Sequence, residues 1–556
     1  MPSFVADAIR WERVQLMIAG RIQNIDTSKV DFCLIDHENN KRVVLPHVAI
    51  QDGKFGIKIN IITVYTDRTF LPDGKWAIAA VNRDTGVLFP MTTGESLFND
   101  DGHYDQYVGL PNAEKIARFG RIYTKGTQYS YSLTPRMTDT GEIYLHSLYV
   151  HPPKRNVFYR FAKRLHSLFR PIRDYLLHRG FNVVFKLAKT FSKHDGTRIL
   201  FTSDSRSELS GNMQNVYQRM VERGLDKQFR IDFMFKENVK ARRGIKDKFR
   251  MPYLLGCADI IIIDDFNPTV KQCKFKKSVK VIQLWHACGA FKTVGFSRTG
   301  KTGGPFVTNN NHRVYTHAIA SSKHVAQFYC EAFGMTEDMV YPTGVPRTDM
   351  FFDEKYKADV RKRMHEEIPQ SVGKRVILFA PTFRGNGAKS GHYPLEKLNI
   401  FRIADMCRKT NSIFIFKLHP FVKDKVIIPK SCTDVILDCT EQREINDLLF
   451  ITDIMITDYS SVIYEASILN IPMLFYAFDL DNYISTRDFY EPFRSFVPGK
   501  IVSTFEQLIT AILKCDFEQE KVEPFCKRNF EYQDAGSTDR VIDWLILGKV
   551  PEDLRS

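Results

Sequence analysis

Ile413-Phe-Ile-Phe-Lys-Leu-His-Pro420 joins four apolar residues to a cation, a histidine and a proline. An apolar run this short reads as a strand buried on both faces, and the proline marks where its hydrogen-bonded ladder must stop. The same pattern recurs on either side. Val376–Ala380, Val435–Leu437, Ile454–Thr457 and Met473–Tyr476 belong to one series with it, and Ile199–Thr202, Ile231–Phe235, Ile260–Asp264, Val281–Leu284 and Ala318–Ser321 to an earlier one. Helical stretches separate these strands, so the spacing predicts an α/β architecture of parallel sheets covered by helices on both faces. The charged helical segment Asp353–Gln370 divides the two series. Two Rossmann-like lobes, 196–355 and 356–556, with a cleft between them are expected.

Upstream the texture changes. Short alternating runs at Val14–Ala19, Phe32–Ile35, Ile61–Tyr65 and Trp76–Val81, broken by Asp52-Gly53 and Asp73-Gly74, predict a small antiparallel β-rich domain over 1–150. Between it and the lobes, 151–195 threads Phe158, Phe161, Leu165, Phe169, Leu176, Phe181 and Phe185 among basic residues at helical spacing. From Lys154 to Lys193 there are eleven Lys/Arg against the single acid Asp174, a net of +10 out of the chain's +15. Such an amphipathic helix suits an anionic membrane surface, with Arg160, Lys163, Arg164, Arg170 and Arg173 on lipid phosphates. A linker helix with a solvated face is the plainer alternative. No recognised nucleic-acid module accompanies the charge, so nucleic acid is not expected as a partner.

With 556 residues, 44% hydrophobic and 26% charged, the chain is a multidomain globular protein. Its ten cysteines are scattered, without CxxC pairs or zinc spacing, which predicts neither a disulfide framework nor a metal site and fits a reducing cytoplasm. Neither a signal peptide nor an apolar run long enough to span a bilayer is read.

In open parallel sheets, ligands bind beyond the carboxyl ends of the strands. The residues there are polar: Ser203-Asp-Ser-Arg206, Asp264-Asp265, Trp285-His286, Pro381-Thr-Phe-Arg384, Lys417-Leu-His419 and Asp458-Tyr-Ser-Ser461. His286 and His419 occupy matching slots in the two lobes. A lone histidine at a strand end is more often structural; two in matching places point to chemistry, since an imidazole with pKa near 6.5 takes a proton readily at neutral pH. Ser460-Ser461 open a helix whose free amides suit phosphate, with Glu465 one turn on placed for sugar hydroxyls. Ordinary helix capping is the competing reading. Arg347, Arg384 and Lys417 add cations of the kind a diphosphate needs.

Gly295-Phe-Ser-Arg-Thr-Gly-Lys-Thr302 matches the P-loop expression letter for letter, but Gly303-Gly-Pro305 follows at once where a helix would have to start. A mobile basic loop presenting Lys292, Arg298 and Lys301 to phosphates is expected instead.

Leu284-Trp-His-Ala287, Pro342-Thr-Gly-Val-Pro-Arg347, Phe379-Ala-Pro-Thr-Phe-Arg384, Lys417-Leu-His-Pro420 and Thr457-Asp-Tyr-Ser-Ser461, in this order, resemble the CDP-glycerol glycerophosphotransferase family of wall teichoic acid synthesis. Trp285 to Lys301, Asp488-Phe-Tyr-Glu-Pro-Phe493, Trp11-Glu-Arg-Val-Gln15 and Phe201-Thr-Ser-Asp-Ser-Arg206 resemble its ribitol-phosphate polymerase branch. The resemblance implies a GT-B-type fold with the donor held mainly by the C-terminal lobe. It implies attack by the terminal hydroxyl of a lipid-linked teichoic acid polymer on the β-phosphorus of a CDP-alditol, releasing CMP at the cytoplasmic membrane face. His286 is then the expected base and His419 the diphosphate contact. Trp285, Ala287, Cys288, Gly289, Arg347, Pro381, Thr382, Arg384, Lys417, Leu418, Ser460, Ser461 and Glu465 are the expected donor contacts. Where glycerol enzymes carry a WHG-T-P-L-K motif this chain has Trp285-His-Ala-Cys-Gly-Ala-Phe-Lys292, which points to CDP-ribitol over CDP-glycerol. No tightly bound cofactor is expected, although a divalent cation could accompany the diphosphate. A UDP-sugar glycosyltransferase and a non-catalytic membrane scaffold are the rival readings.

Overall fold

The structure, a computed structural model, describes residues 2–93, 97, 118–122, 128–150, 172–239, 241–301, 304–385, 390–441 and 445–554. Its N-terminal part carries two sheets. β1 (Ser3–Glu12), β2 (Gln15–Gln23), β5 (Val48–Gln51), β6 (Lys54–Asn60) and β9 (Thr92–Thr93) pair in the order β5-β6-β2-β1-β9. β3 (Val30–Asp36), β4 (Lys41–Val44), β7 (Gly74–Asn82), β10 (Arg118–Ile122), β11 (Gln128–Met137) and β12 (Ile143–Val150) pair in the order β10-β11-β12-β7-β3-β4, with β8 (Leu88–Pro90) on β7. Alternate residues such as Ile9, Leu16, Ile18, Leu34, Ile57 and Ile78 are buried in the shared core, as the period of a strand requires. The expected strand Ile61–Tyr65 is a turn instead. Asn60 closes it, its side chain accepting from the Ile62 N–H and its carbonyl from that of Thr63; Ile61 and Ile62 are apolar because they plug the core.

Two six-stranded, wholly parallel sheets follow. In the first lobe β13 (Arg198–Ser203), β14 (Arg230–Phe235), β15 (Ile260–Ile263), β16 (Lys280–Gln283), β17 (His317–Ile319) and β18 (Val340–Tyr341) run β14-β13-β15-β16-β17-β18. In the second, β19 (Arg375–Phe379), β20 (Ser412–Phe416), β21 (Ile436–Asp438), β22 (Ile454–Thr457), β23 (Met473–Tyr476) and β24 (Lys500–Val502) run β21-β20-β19-β22-β23-β24. Strand order reverses beside β13 and β15 in one lobe and beside β19 and β22 in the other, and these switch points are where doubly wound sheets hold ligands. Separate cores cover the two faces of each sheet.

The ends of the expected segments behave differently from their labels. Arg160, Lys163, Arg164 and Arg170 lie outside the described residues, as does the side chain of Arg173. The helix Ile172–Phe191 packs on the first-lobe helix Ile245–Cys257, where Gly256 leaves no room for a side chain: a Cβ there would sit 2.6 Å from Ala188 and 2.7 Å from the Phe185 carbonyl. Half of the basic segment is therefore part of the first lobe. The second lobe does not keep the whole of 356–556 either, because Val541, Ile542 and Leu545 are buried with Ile199, Phe201, Ile262 and Ile282 in the first lobe's core. The chain crosses back, and Asp349 fixes the crossing by accepting from the backbone N–H groups of Ser537 (3.0 Å) and Thr538 (2.8 Å).

The β domain touches the point where the lobes meet. Arg13, at the β1–β2 hairpin tip with φ +56°, donates from Nε and Nη2 to both oxygens of buried Glu331 (2.7 and 3.2 Å) and from Nη1 to the carbonyl of Tyr490 (3.1 Å).

Candidate functional site

His286 leaves β16 on a strained turn. Trp285 has φ +47°, which a non-glycine residue adopts only when its surroundings hold it there. Three contacts do so. The Trp285 N–H donates to Gln283 Oε1 (2.9 Å), while Nδ2 of buried Asn212 donates to the carbonyls of Trp285 (2.7 Å) and Leu284 (3.2 Å). Asn212 Oδ1 then accepts the Arg347 N–H (3.0 Å), so one amide ties two of the expected motifs together. The His286 ring lies 4.3 Å from that of Trp285 and about half of it is open. Desolvation lowers its pKa, opposed by Asp265 and Asp264 and reinforced by Arg347 and Arg206. The shift favours the neutral imidazole, the form a base requires.

His419 follows β20. Its Nδ1 accepts the Phe421 N–H (3.1 Å), which leaves the proton on Nε2 and makes the ring a hydrogen-bond donor. Phe383 and Phe421 pack on it at 4.7 and 4.6 Å. Burial lowers its pKa, and the ammonium groups of Lys292 and Lys417 lower it further. Lys417 is itself buried, with Nζ donating to the Thr440 carbonyl (3.1 Å). Leu418 is a buried core residue whose N–H bonds Thr440 Oγ1, so its side chain offers no donor contact.

Lys292 connects the two neighbourhoods. It belongs to the Trp285–Lys292 stretch of the first lobe, yet pairs its backbone with Phe489 of the second and places Nζ 5.4 Å from the centre of the Tyr483 ring. Burial pushes its pKa down to about 8 against the pull of Asp458, with Arg487 and Arg384 acting in the same sense as burial. The loop beyond it is packed: the Thr293 N–H bonds the Asp488 carbonyl, Ser297 Oγ lies 3.0 Å from Tyr490 Oη, and Lys301 pairs with Asp488. Lys301 is thus an interlobe pair rather than a free phosphate ligand, and Gly295–Arg298 is a single 3₁₀ turn. The two strings that resemble the ribitol branch, Trp285–Lys301 and Asp488–Phe493, are brought into contact here.

Several more of the expected contacts are held by protein partners. Arg384 donates to Asp479 through Nε (2.7 Å) and Nη2 (2.8 Å), and through Nη1 to Asp458 (2.9 Å) and the Thr382 carbonyl (2.6 Å). Tyr393, Tyr459, Phe478 and Tyr483 surround it. Two carboxylates already neutralise Arg384 and hold it in the frame of the site. Cys288 is fully buried, its thiol on Glu465 Oε1 (3.3 Å) and its pKa raised by burial. Gly289 lies under the Tyr464 ring, where a Cβ would approach to 2.1 Å. Both form the seam between lobes, closed by an ion pair of half-buried Arg347 with buried Glu465, so Glu465 and Arg347 hold each other across the cleft.

Pro381 and Thr382 follow β19, with the Thr382 N–H on Asp458 Oδ1 (2.7 Å). Ser460 and exposed Ser461 precede a short helix, Ile463–Ile468, and Ser460 Oγ accepts from the Val462 N–H (3.4 Å). Ala287 is half-buried beside His286. Asn212, Gln283 and Asp479 were not singled out from sequence: none stands in a motif, and each acts through a partner distant along the chain. Among the described residues, no three His, Cys, Asp or Glu side chains converge to hold a metal.

The switch points lie between β13 and β15 and between β19 and β22, each histidine stands one strand away, His286 after β16 and His419 after β20, and with this GT-B-type pair of lobes the chain is by class a CDP-alditol phosphotransferase. A family model described as CDP-Glycerol:Poly(glycerophosphate) glycerophosphotransferase matches residues 184–547, and the chain belongs to that family. The teichoic acid ribitol-phosphate polymerase TarL of Staphylococcus aureus (strain NCTC 8325 / PS 47) is 42% identical over 551 residues, covering 96% of this chain and 98% of that protein. TarK of the same strain, also a teichoic acid ribitol-phosphate polymerase, is 43% identical over 490 residues, 83% of this chain and 96% of TarK. The solved structure of the wall teichoic acid polymerase TagF shares the fold, with TM-score 0.54 at 20% identity over 71% of this chain and 99% of that one.

Proposed function

We propose that this chain is a ribitol-phosphate polymerase that moves ribitol phosphate from CDP-ribitol to the terminal hydroxyl of a lipid-linked wall teichoic acid chain and releases CMP. The observation that carries the reading is the near end-to-end likeness to ribitol-phosphate polymerases, β domain included. Neutral His286 takes the proton of the attacking hydroxyl on Nε2. The oxygen attacks the β-phosphorus, a new P–O bond forms, and the bond to CMP breaks with its electron pair on the leaving phosphate. His419, donating from Nε2, and the Lys292 ammonium offset charge on the phosphoryl oxygens. Lys417, Pro381, Thr382, Ser460 and Ser461 line the donor side, and Trp285 and Ala287 shape the acceptor side. Supplying CDP-ribitol and CDP-glycerol separately with a lipid-linked acceptor tests this: CMP appears with CDP-ribitol. CMP from CDP-glycerol alone, or release of a nucleoside diphosphate, sinks the assignment.

The acceptor's lipid places the enzyme at the cytoplasmic membrane face as a peripheral protein. No described helix is long and apolar enough to cross a membrane. Supporting surface adsorption, Val183, Leu187 and Phe191 are exposed along one stripe of the helix Ile172–Phe191, as are Ile245, Phe249 and Tyr253 along its packing partner, beside exposed Lys186, Lys246 and Arg250. Reversing the charge of Arg160, Lys163, Arg164 and Arg173 is expected to weaken partitioning onto anionic vesicles; unchanged partitioning refutes the membrane role.

A further inference from the structure

We propose that Asp265 is the positioning partner of His286, accepting its Nδ1–H so that Nε2 faces the attacking hydroxyl with its lone pair free. The inference rests on the reading of His286 as the base. It starts from the register of the first sheet. β15 and β16 pair with Ile263 beside Gln283, so the residues just beyond β15 lie next to the turn that carries His286. Asp265 Oδ1 lies 4.0 Å from His286 Nδ1, longer than a hydrogen bond, and catalytic hydrogen bonds often tighten only once substrate is bound.

The two groups are pinned to one frame. The fully buried side chain of Gln283 donates through Nε2 to the Asp265 carbonyl (3.2 Å) and accepts the Trp285 N–H at Oε1 (2.9 Å). A single amide therefore sets the spacing between the loop bearing the carboxylate and the turn bearing the imidazole. The carboxylate is oriented from its other side by Ser205, whose hydroxyl donates to Oδ2 (3.0 Å), and by the Phe266 N–H on Oδ1 (2.6 Å).

The neighbouring carboxylate is not equivalent. Asp264 is buried and paired with Arg206, which leaves Asp265 as the acid directed at the imidazole. The charged groups facing His286 are Asp265 and Asp264, which favour its protonated form, and Arg347 and Arg206, which oppose it; the Trp285 ring packs against it. When the hydroxyl proton moves to Nε2, the imidazolium gains a charge that ionised Asp265 stabilises without accepting the proton itself.

The test uses the full chain, CDP-ribitol and a lipid-linked acceptor, with kcat and KM followed across pH for wild type, Asp265→Asn, Ser205→Ala and His286→Ala. Asp265→Asn is expected to lower kcat by at least about 10-fold and by as much as about 10⁴-fold, the loss seen when the carboxylate that orients a general-base histidine is removed, with KM for CDP-ribitol unchanged. The carboxylate raises the imidazole pKa, so its removal moves the acid limb of the kcat profile to lower pH. Ser205→Ala moves kcat and the limb in the same directions by less, and serves where Asp265→Asn folds poorly. A wild-type kcat, or a reduced kcat with the acid limb where wild type has it, overturns the proposal. If His286→Ala turns over at the wild-type rate, the base assignment itself fails; if His286→Ala is inactive while Asp265→Asn is normal, only the present inference fails.

Discussion

Replacing Arg384 should damage stability before it damages substrate binding. Its guanidinium makes four hydrogen bonds, three of them to Asp458 and Asp479, and the Asp458 side chain has no solvent access. Arg384→Met takes from that buried carboxylate its hydrogen-bonded counter-charge, and breaking one side of such a pair costs about 3–5 kcal/mol. In a lobe of this size each kcal/mol moves the melting temperature by roughly 2–4 °C, so a fall on the order of 10 °C is expected. Arg384→Lys keeps the charge but not the planar fork that reaches both carboxylates, and should fall between Met and wild type. Differential scanning calorimetry of the full chain measures the order, with KM for the donor as the companion reading. An Arg384→Lys protein that melts like wild type while its donor KM rises would refute the structural account and restore Arg384 as a phosphate ligand.

Gly289→Ala puts a Cβ into the buried Tyr464 ring and forces the seam apart; activity should fall on the order of 100-fold, the scale of an ångström-sized misplacement, and the overpacking should cost about 1–3 kcal/mol of stability. Asn212→Ala removes the donor that holds Trp285 at positive φ and the acceptor for the Arg347 N–H, and should destabilise by about 1–3 kcal/mol while lowering kcat. Acidification supplies a further check. Burial holds His312 and His317 at about 4 in the folded chain against about 6.5 when unfolded. The unfolded state binds the extra protons between these values, so stability is full above pH 6.5 and is lost as pH falls towards 4; thermal melts that are flat over that window would contradict it.

The parallel strands were legible because strands buried on both faces must be apolar at every position, as Ile260–Ile263 is. β18 and β24 escaped notice because two or three residues at a sheet edge carry no comparable pattern. Ile61–Tyr65 misled because plugging a core and lying in a sheet select the same side chains. At the site, sequence located the strand-end residues but not their pairing. Arg384 looked like a free cation since Asp479 stands 95 residues away, and Cys288 and Gly289 looked like cleft wall since Tyr464 and Glu465 meet them only after both lobes are built. Charge and spacing reveal which residues can act; which of them are already neutralised is a property of tertiary packing.

The chain's return into the first lobe has a consequence for synthesis. Ile199, Phe201, Ile262 and Ile282 are made before the second lobe, yet one side of their core is filled by Val541, Ile542 and Leu545, which follow that lobe along the chain. The first lobe's core is therefore complete only once the second lobe has been made, and a chain cut before Val541 keeps every strand of both sheets but leaves one face of the first sheet partly uncovered.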